Sequence, residues 1–406
     1  MTKPGDSRTS GDVRAAPEVA ERKFGTTTAE TRFEGDTGEP MGENPGTVSV
    51  TIVTHNSEAF IDRCLKSVLS QCWPALEIIV VDNDSRDGTR SILEGYGDRI
   101  QTVWNRENRG FAAAQNQAIR RASGEWVLAL NPDVRLTNNF ISRLLDRKLD
   151  ADIGTVCGKL IRALPTLEIP SEIRLDSAGI YFTPSFRHLD RGSNLPDREE
   201  YNRPALVFGA TAAAALYRRK MIEDISVEGE FFDEDFFLYR EDADVSWRAQ
   251  LQGWRCLYLP EAVGYHVRSV FPGCRRALPP LINRQSVQNR FLMRIKNATL
   301  PVYVRNFLPV TARDLGVILY CIFAERSSLG AFSSVIRLWR RTLAKRRIIQ
   351  ERRRVSNDYL QSWFGYRPVT LPVEIPPRLQ PGHSPAPGAR SAVSLPAAGP
   401  GQFRSL

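Results

Sequence analysis

The spacing of apolar residues along this chain changes in step with its turn signals, and those changes outline the fold. Residues 48–53 form a short, β-branched apolar run that reads as a buried strand. Phe60, Ile61, Cys64, Leu65, Val68 and Leu69 then recur at helical spacing, with Asn56 as the expected N-cap and Pro74 as the stop. A second strand-like run at 76–81 passes into the turn-rich stretch 82–89 and a short helix. A third strand around 102–104 leads through a polar loop, 105–110, into an Ala-rich helix at 111–122, and 126–130 reads as a fourth strand. Alternation at this pitch predicts a parallel sheet that binds its ligand at the strand carboxyl ends. Past residue 138 the pattern changes to a helix, irregular loops and antiparallel-looking strands, notably 205–217, which would rebuild one side of the cleft.

Both ends of the chain break the pattern. Residues 1–46 are rich in Gly, Thr, Glu, Asp and Pro with few apolar positions, and 366–406 repeat Pro, Ala, Gly and Ser, so a disordered leader and a flexible tail are expected. Between them, residues 47–298 read as one folded α/β domain, in a first half at 47–135 and a second at 136–298.

Composition adds little until charge is located. The 406 residues are 42% hydrophobic and 25% charged, an ordinary globular balance with room for a large core. Cys64, Cys72, Cys157, Cys256, Cys274 and Cys321 lie far apart, with neither zinc spacing nor a disulfide framework, and read as reduced thiols. No signal-peptide stretch and no run of about 20 uncharged apolar residues is present, so a cytoplasmic location is expected. The net charge is +9, but residues 337–354 alone hold nine Lys or Arg against Glu351. That is a local basic helix and not a basic body, which argues against a nucleic-acid binder. Residues 302–323 are apolar but interrupted by Arg305, Arg313 and Asp314, and Trp339, Leu343, Ile348 and Ile349 interleave the arginines that follow. Residues 299–365 therefore read either as amphipathic helices on an anionic membrane surface, peripheral on its inner face, or as helices packed on the α/β domain with a solvated basic face.

Three polar clusters follow expected strands: Thr54-His55-Asn56, Asp82-Asn83-Asp84 and Asn131-Pro132-Asp133. Each alone could be a turn or cap; three in register point to a ligand edge. The 82–88 string brushes a calcium-loop pattern, but Arg86 falls where an oxygen ligand should be, and no Glu closes the loop. In the stretch 231–247 carboxylates alternate with aromatics, and low-dielectric walls can raise a carboxyl pKa into the range of a general base. The same residues Glu241, Asp242 and Asp244 also suit a helix N-terminus.

The ordered strings at 50–56, 81–89, 108–111, 130–134 and 236–244, with Gln288-Asn289-Arg290-Phe291-Leu292 near the end, resemble family 2 glycosyltransferases of the GT-A fold, most of all their rhamnosyltransferase-like branch. The resemblance implies a three-layer α/β domain with a mixed, mainly parallel sheet. It implies an inverting transfer from a nucleotide sugar, dTDP-L-rhamnose above others, to an acceptor that is either a saccharide or a lipid-linked saccharide, such as one on a polyprenyl diphosphate, in cell-envelope polysaccharide synthesis. In that pattern Thr54, His55, Asn56, Asp82, Asn83, Asn108, Gly110, Asn131 and Asp133 bind the nucleotide sugar. Asp133, with His266, holds Mg2+ or Mn2+ on the diphosphate, Asp242 is the base, and Asp235, Tyr239, Glu241 and Trp254 meet the acceptor. Two departures stand out: Asn131 replaces the first carboxylate of the metal motif, and Val267-Arg268-Ser269-Val270 replaces the glycine-containing string that usually follows the histidine. An inert nucleotide-sugar-binding protein and an enzyme using a UDP- or GDP-sugar are the alternatives; the intact Glu241-Asp242 pair speaks against the first.

Overall fold

In the computed structural model, which describes residues 46–268 and 279–365 and the backbone of 371–372, the expected alternation forms one half of a large sheet. Strands β1 (Val48–Thr54), β2 (Leu76–Asn83), β3 (Gln101–Asn105) and β4 (Trp126–Leu130) run parallel in the order β4-β1-β2-β3, joined by helices α1 (Ile61–Leu69), α2 (Thr89–Glu94) and α3 (Phe111–Arg121). Thr54 is in register with Asp82, and Asn83 with Asn105, so the polar strand ends share one edge. Every residue of β1 is buried, as a strand covered on both faces by helices requires.

The second half turns the sheet around. β5 (Val134–Leu136) and α4 (Phe140–Leu145) precede β6 (Ile153–Arg162), β7 (Leu175–Ser177), β8 (Ile180–Phe182), β9 (His188–Asp190), β10 (Ala205–Val207) and β11 (Ala214–Arg218). β11 lies antiparallel between β4 and β6, which makes the sheet mixed. α5 (Arg219–Ile225) and α6 (Glu241–Leu251) lead into β12 (Arg255–His266), which runs parallel to β6. The β12–β6 register shifts between Leu259 and Val263, and past the shift β12 also pairs antiparallel with β5, placing His266 opposite Val134. A bulge of this kind re-aims the strand end. Here it carries His266 beside Asp133.

The chain ends in α7 (Pro280–Asn297), α8 (Leu300–Arg305), α9 (Phe307–Phe323), α10 (Gly330–Glu351), α11 (Asn357–Ser362) and a two-residue strand, β13 (Leu371–Pro372), against β10. Their buried residues, including Met293, Ile349, Leu360 and Phe364, join Phe182, Phe208 and Trp247 in one apolar cluster. Phe364 stacks obliquely on Trp247, 5.1 Å between centroids. The expected apolar stretch at 302–323 is divided between α8 and α9 because Asn306 sits between them as the cap of both, its Nδ2 donating to the Val302 carbonyl at 2.8 Å. Asp314 interrupts it because it faces inward, to Arg290 at 2.9 Å and Arg294 at 2.5 Å. No described helix is long and apolar enough to cross a membrane. The expected leader (apart from Gly46) and tail (apart from the backbone of 371–372) lie outside the described residues, as does Cys274.

Candidate active site

The polar ends of β1 and β2 hold each other. Asp82, buried, accepts from Thr54 Oγ1 at 2.9 Å and from the Ser85 amide at 3.1 Å. His55 and Asn56 are exposed on the rim; His55 Nδ1 donates to the Asn83 carbonyl at 2.8 Å, leaving Nε2 outward. Asn56 is not the cap of α1, whose N-cap is Phe60. Its backbone has φ of 51°, its amide donates to Ser85 Oγ, and its Oδ1 accepts from the Arg86 amide at 2.8 Å, so it ties the first loop to the second. Asn83 is fully engaged: its Nδ2 donates to Asn108 Oδ1 and the Gly110 carbonyl, while its Oδ1 accepts from Asn105 and the Arg109 amide. That network shapes the 105–110 loop and leaves Asn83 no free group for a ligand.

Gly110 joins this edge to the second half. Its φ is 81°, and a Cβ there would stand 2.5 Å from the Phe237 ring and 2.6 Å from the Phe237 carbonyl. Only glycine allows both the conformation and the approach. The facing loop is strained as well: Phe237, Tyr239 and Arg240 all have positive φ. Asn289, on α7, holds it by donating Nδ2 to the carbonyls of Phe236, Leu238 and Tyr239 at 2.8, 2.9 and 2.8 Å.

Between the halves lies a cleft of about 320 Å³ that gathers Asn131 and Asp133 from the β4–β5 turn, Tyr239, Glu241 and Asp242 from the start of α6, and His266 from the end of β12. Asp242 is half-buried and its Oδ1 accepts from the Ala243 amide. Burial, and then the charge of Asp190, push its carboxyl up to about 6. Glu241 is buried with Oε2 unpartnered, and burial and Asp242 raise it well above the usual carboxyl range. The Asp242 charge thus opposes ionisation of Glu241, as expected of two like charges in one apolar site. Asp244, the third carboxylate, is fully buried and neutralised by Arg248 at 2.9 Å and Lys296 at 3.1 Å.

Asp133 Oδ1 is buried without a hydrogen-bond partner and lies 3.5 Å from His266 Nε2. The other nitrogen of His266 is held by Asp176 at 2.7 Å. Burial works against a charged ring, but Asp176 and Asp133 outweigh it and raise His266 to about 10. A histidine oriented by a carboxylate, with its far nitrogen aimed at an orphaned carboxylate oxygen, suits a divalent cation that displaces the Nε2 proton. Among the described residues no group of three His, Cys, Asp or Glu could hold a metal, so two side chains would share it with the ligand's own oxygens.

Two expected acceptor residues are not in the cleft. Asp235 pairs with Lys345 at 3.0 Å and Arg341 at 3.1 Å on α10, because the 3-10 turn that carries it faces that helix. Trp254 is buried against Met221 and Gly154, its indole donating to Asp224 at 2.7 Å. His188, Asp190 and Thr211, which no sequence motif announces, also line the cleft, together with Arg268. Arg268 bridges Asp190 and Asp176, and Arg240 donates to His188 Nδ1 at 3.1 Å. The one available hint was the unusual string after His266, where Arg268 stands.

Residues 49–226 match the family model for glycosyl transferase family 2. Over 102 residues, 24% of this chain, the sequence is 38% identical to the putative teichuronic acid biosynthesis glycosyltransferase TuaG of Bacillus subtilis. Over 112 residues, 27% of the chain, it is 37% identical to the UDP-Glc:alpha-D-GlcNAc-diphosphoundecaprenol beta-1,3-glucosyltransferase WfgD of Escherichia coli. The matches span 40% and 44% of those relatives. In fold, the chain is similar to GalNAc-T7, solved with UDP, GalNAc and Mn2+, with a TM-score of 0.50 at 16% identity over 63% of this chain and 48% of that one. The mixed α/β sheet with helices on both faces is thus GT-A-like, and the stretch of this chain that resembles glycosyl transferase family 2 is residues 49–226.

Proposed function

We propose that this chain is an inverting glycosyltransferase that moves a sugar from a nucleotide diphosphate donor to a hydroxyl of a saccharide acceptor in cell-envelope polysaccharide synthesis. The observation that carries the proposal is the cleft itself, where Asp133, at the nucleotide edge, faces Asp242 and Glu241, two carboxyls of raised and unequal pKa. Asp242 takes the proton from the acceptor hydroxyl, the freed oxygen forms its bond to the anomeric carbon, and the bond to the diphosphate oxygen breaks on the opposite face. A displacement of that kind inverts the anomeric centre once. Glu241, held toward its neutral form by burial and by the Asp242 charge, serves beside it as a hydrogen-bond donor.

Thr54, His55, Asn56 and Asp82 form the nucleotide side in this reading, with Asn108, Gly110 and Asn131 shaping its floor. Asp133 and His266 would hold Mg2+ or Mn2+, which when bound offsets the charge on the leaving diphosphate. Tyr239 and Glu241 line the acceptor side, and Asp190 and Arg268 join them.

For the donor we propose dTDP-L-rhamnose, on the resemblance of the Asn131-Pro132-Asp133 motif. A UDP-hexose is the second reading, favoured by the donor named for the Escherichia coli relative. A lipid diphosphate acceptor rests on the same relative's name, and a peripheral place on the inner face of the membrane fits it. A nucleotide-sugar panel scored by thermal protection and donor hydrolysis tests the reading. Stabilisation by dTDP-rhamnose above UDP-glucose and GDP-mannose is expected, stronger with a divalent ion. Turnover of a UDP-sugar alone removes rhamnose and leaves the class; no stabilisation by any nucleotide sugar removes the class.

A further inference from the structure

α10 carries two different basic faces. Lys345 and Arg341 point inward to Glu230, Asp233 and Asp235, where their charge is neutralised. On the opposite face Ile336, Trp339 and Leu343 recur at helical spacing and are exposed, Ile336 at 75%. α9 shows the same arrangement: Leu308, Leu315, Leu319, Ile322 and Phe323 fall on one stripe, and Leu308 and Phe323 are each 77% exposed. Single exposed apolar residues are ordinary, but two stripes on neighbouring helices are not.

Between α8 and α10 lies a pocket of about 450 Å³, which Leu343 of the α10 stripe helps to line. Arg346, Arg347, Arg353 and Gln350 line it, and the exposed Leu300 and Leu343 form its lips. Among the described residues only Arg347 has a carboxylate partner, Glu351 at 2.8 Å. Arg346 donates Nη1 to the carbonyls of Ile295 and Ala298, and Arg353 donates Nη1 to Asn357 Oδ1, which leaves both charges uncompensated and each guanidinium with donors to offer.

We infer that this pocket is a binding site for the anionic headgroup of a membrane phospholipid, with the stripes of α9 and α10 resting among the acyl chains. Guanidinium groups bind phosphate oxygens in forked pairs, and apolar lips beside them suit an amphiphile more than a free ion. The inference deepens the membrane placement proposed above and does not depend on the sugar chemistry.

Co-sedimentation of the full chain with vesicles tests it, using phosphatidylcholine alone and phosphatidylcholine mixed with phosphatidylglycerol. The native chain should prefer the anionic vesicles, and added salt should release it. Arg347→Gln with Arg353→Gln, two side chains outside the core, should weaken anionic-vesicle binding about tenfold or more and leave binding to neutral vesicles unchanged. Leu308→Ser with Phe323→Ser should weaken binding to both, with unfolding temperatures unchanged in each variant. A double glutamine variant that keeps the native preference overturns the headgroup site. So does inorganic phosphate raising the unfolding temperature of the native chain, but not of the glutamine variant, while vesicle binding is the same in both. An Asp242→Asn chain run in parallel should bind vesicles normally, so failure of the transferase reading shows in its activity and not here.

Discussion

At the residue scale the proposed reaction depends on two adjacent carboxyls behaving differently. Asp242, pushed up to about 6 by burial and by Asp190, is poised to accept a proton near neutral pH, whereas burial and the Asp242 charge hold Glu241 beside it toward its neutral form. kcat/KM should therefore rise about tenfold per pH unit below pH 6 and level off above it, and the limb should vanish in Asp242→Asn. The same shift has a stability consequence of fixed sign. A carboxyl whose folded pKa exceeds its unfolded value binds more protons when folded, so the contribution is full below pH 4 and is lost as pH rises through 6. Asp242→Asn should thus raise the unfolding free energy at pH 7 to 8 by on the order of 3 kcal/mol at most, a gain that disappears in acid. Denaturant titrations at pH 4 and 7.5 check it. Asp133 and Asp242 were legible in the sequence because each sits in a short, dense string. His188, Asp190 and Arg268 were not, because β9 and the end of β12 reach the cleft through loops and a register shift that no local pattern announces.

At the element scale, the cleft is assembled by loops that glycine and asparagine hold in unusual conformations. Asn289 alone donates to three carbonyls of the loop before α6. Asn289→Ala should cost about 1–3 kcal/mol by leaving those carbonyls unpaired. It should also lower turnover more than donor affinity, because the loop positions Asp242 and not the nucleotide. Thermal unfolding and donor calorimetry separate the two effects. Gly110→Ala should disturb both sides of the cleft, since its Cβ would meet Phe237. Strands β1 to β4 were readable from alternation because local propensity and burial agree there. The role of Asn56 was not, since a cap and a loop tie use the same side chain and differ only in partners 30 residues away, at Arg86.

At the scale of the whole molecule, the C-terminal helices belong to the folded body. Lys345 and Lys296 are buried among Glu230, Asp233, Asp235 and Asp244, the acids just before and within the start of α6. Lys345→Met should destabilise by about 3–5 kcal/mol, because the buried carboxylates around it lose their counter-charge. Net charge pointed to α10 but could not divide its arginines between an inner face that neutralises these acids and an outer one; only the packing does so. The central claim is that Asp242 acts on the acceptor's proton while Asp133 holds the donor. Donor affinity by calorimetry and transfer rate, measured together on Asp242→Asn and Asp133→Ala, test it most directly. The account predicts near-native donor binding with turnover down about 10² to 10⁴ for the first, and loss of both for the second. An Asp242→Asn protein with near-native turnover would contradict it, since the neighbouring carboxyls are either held toward the neutral form, as Glu241, or locked in ion pairs, as Asp235 and Asp244.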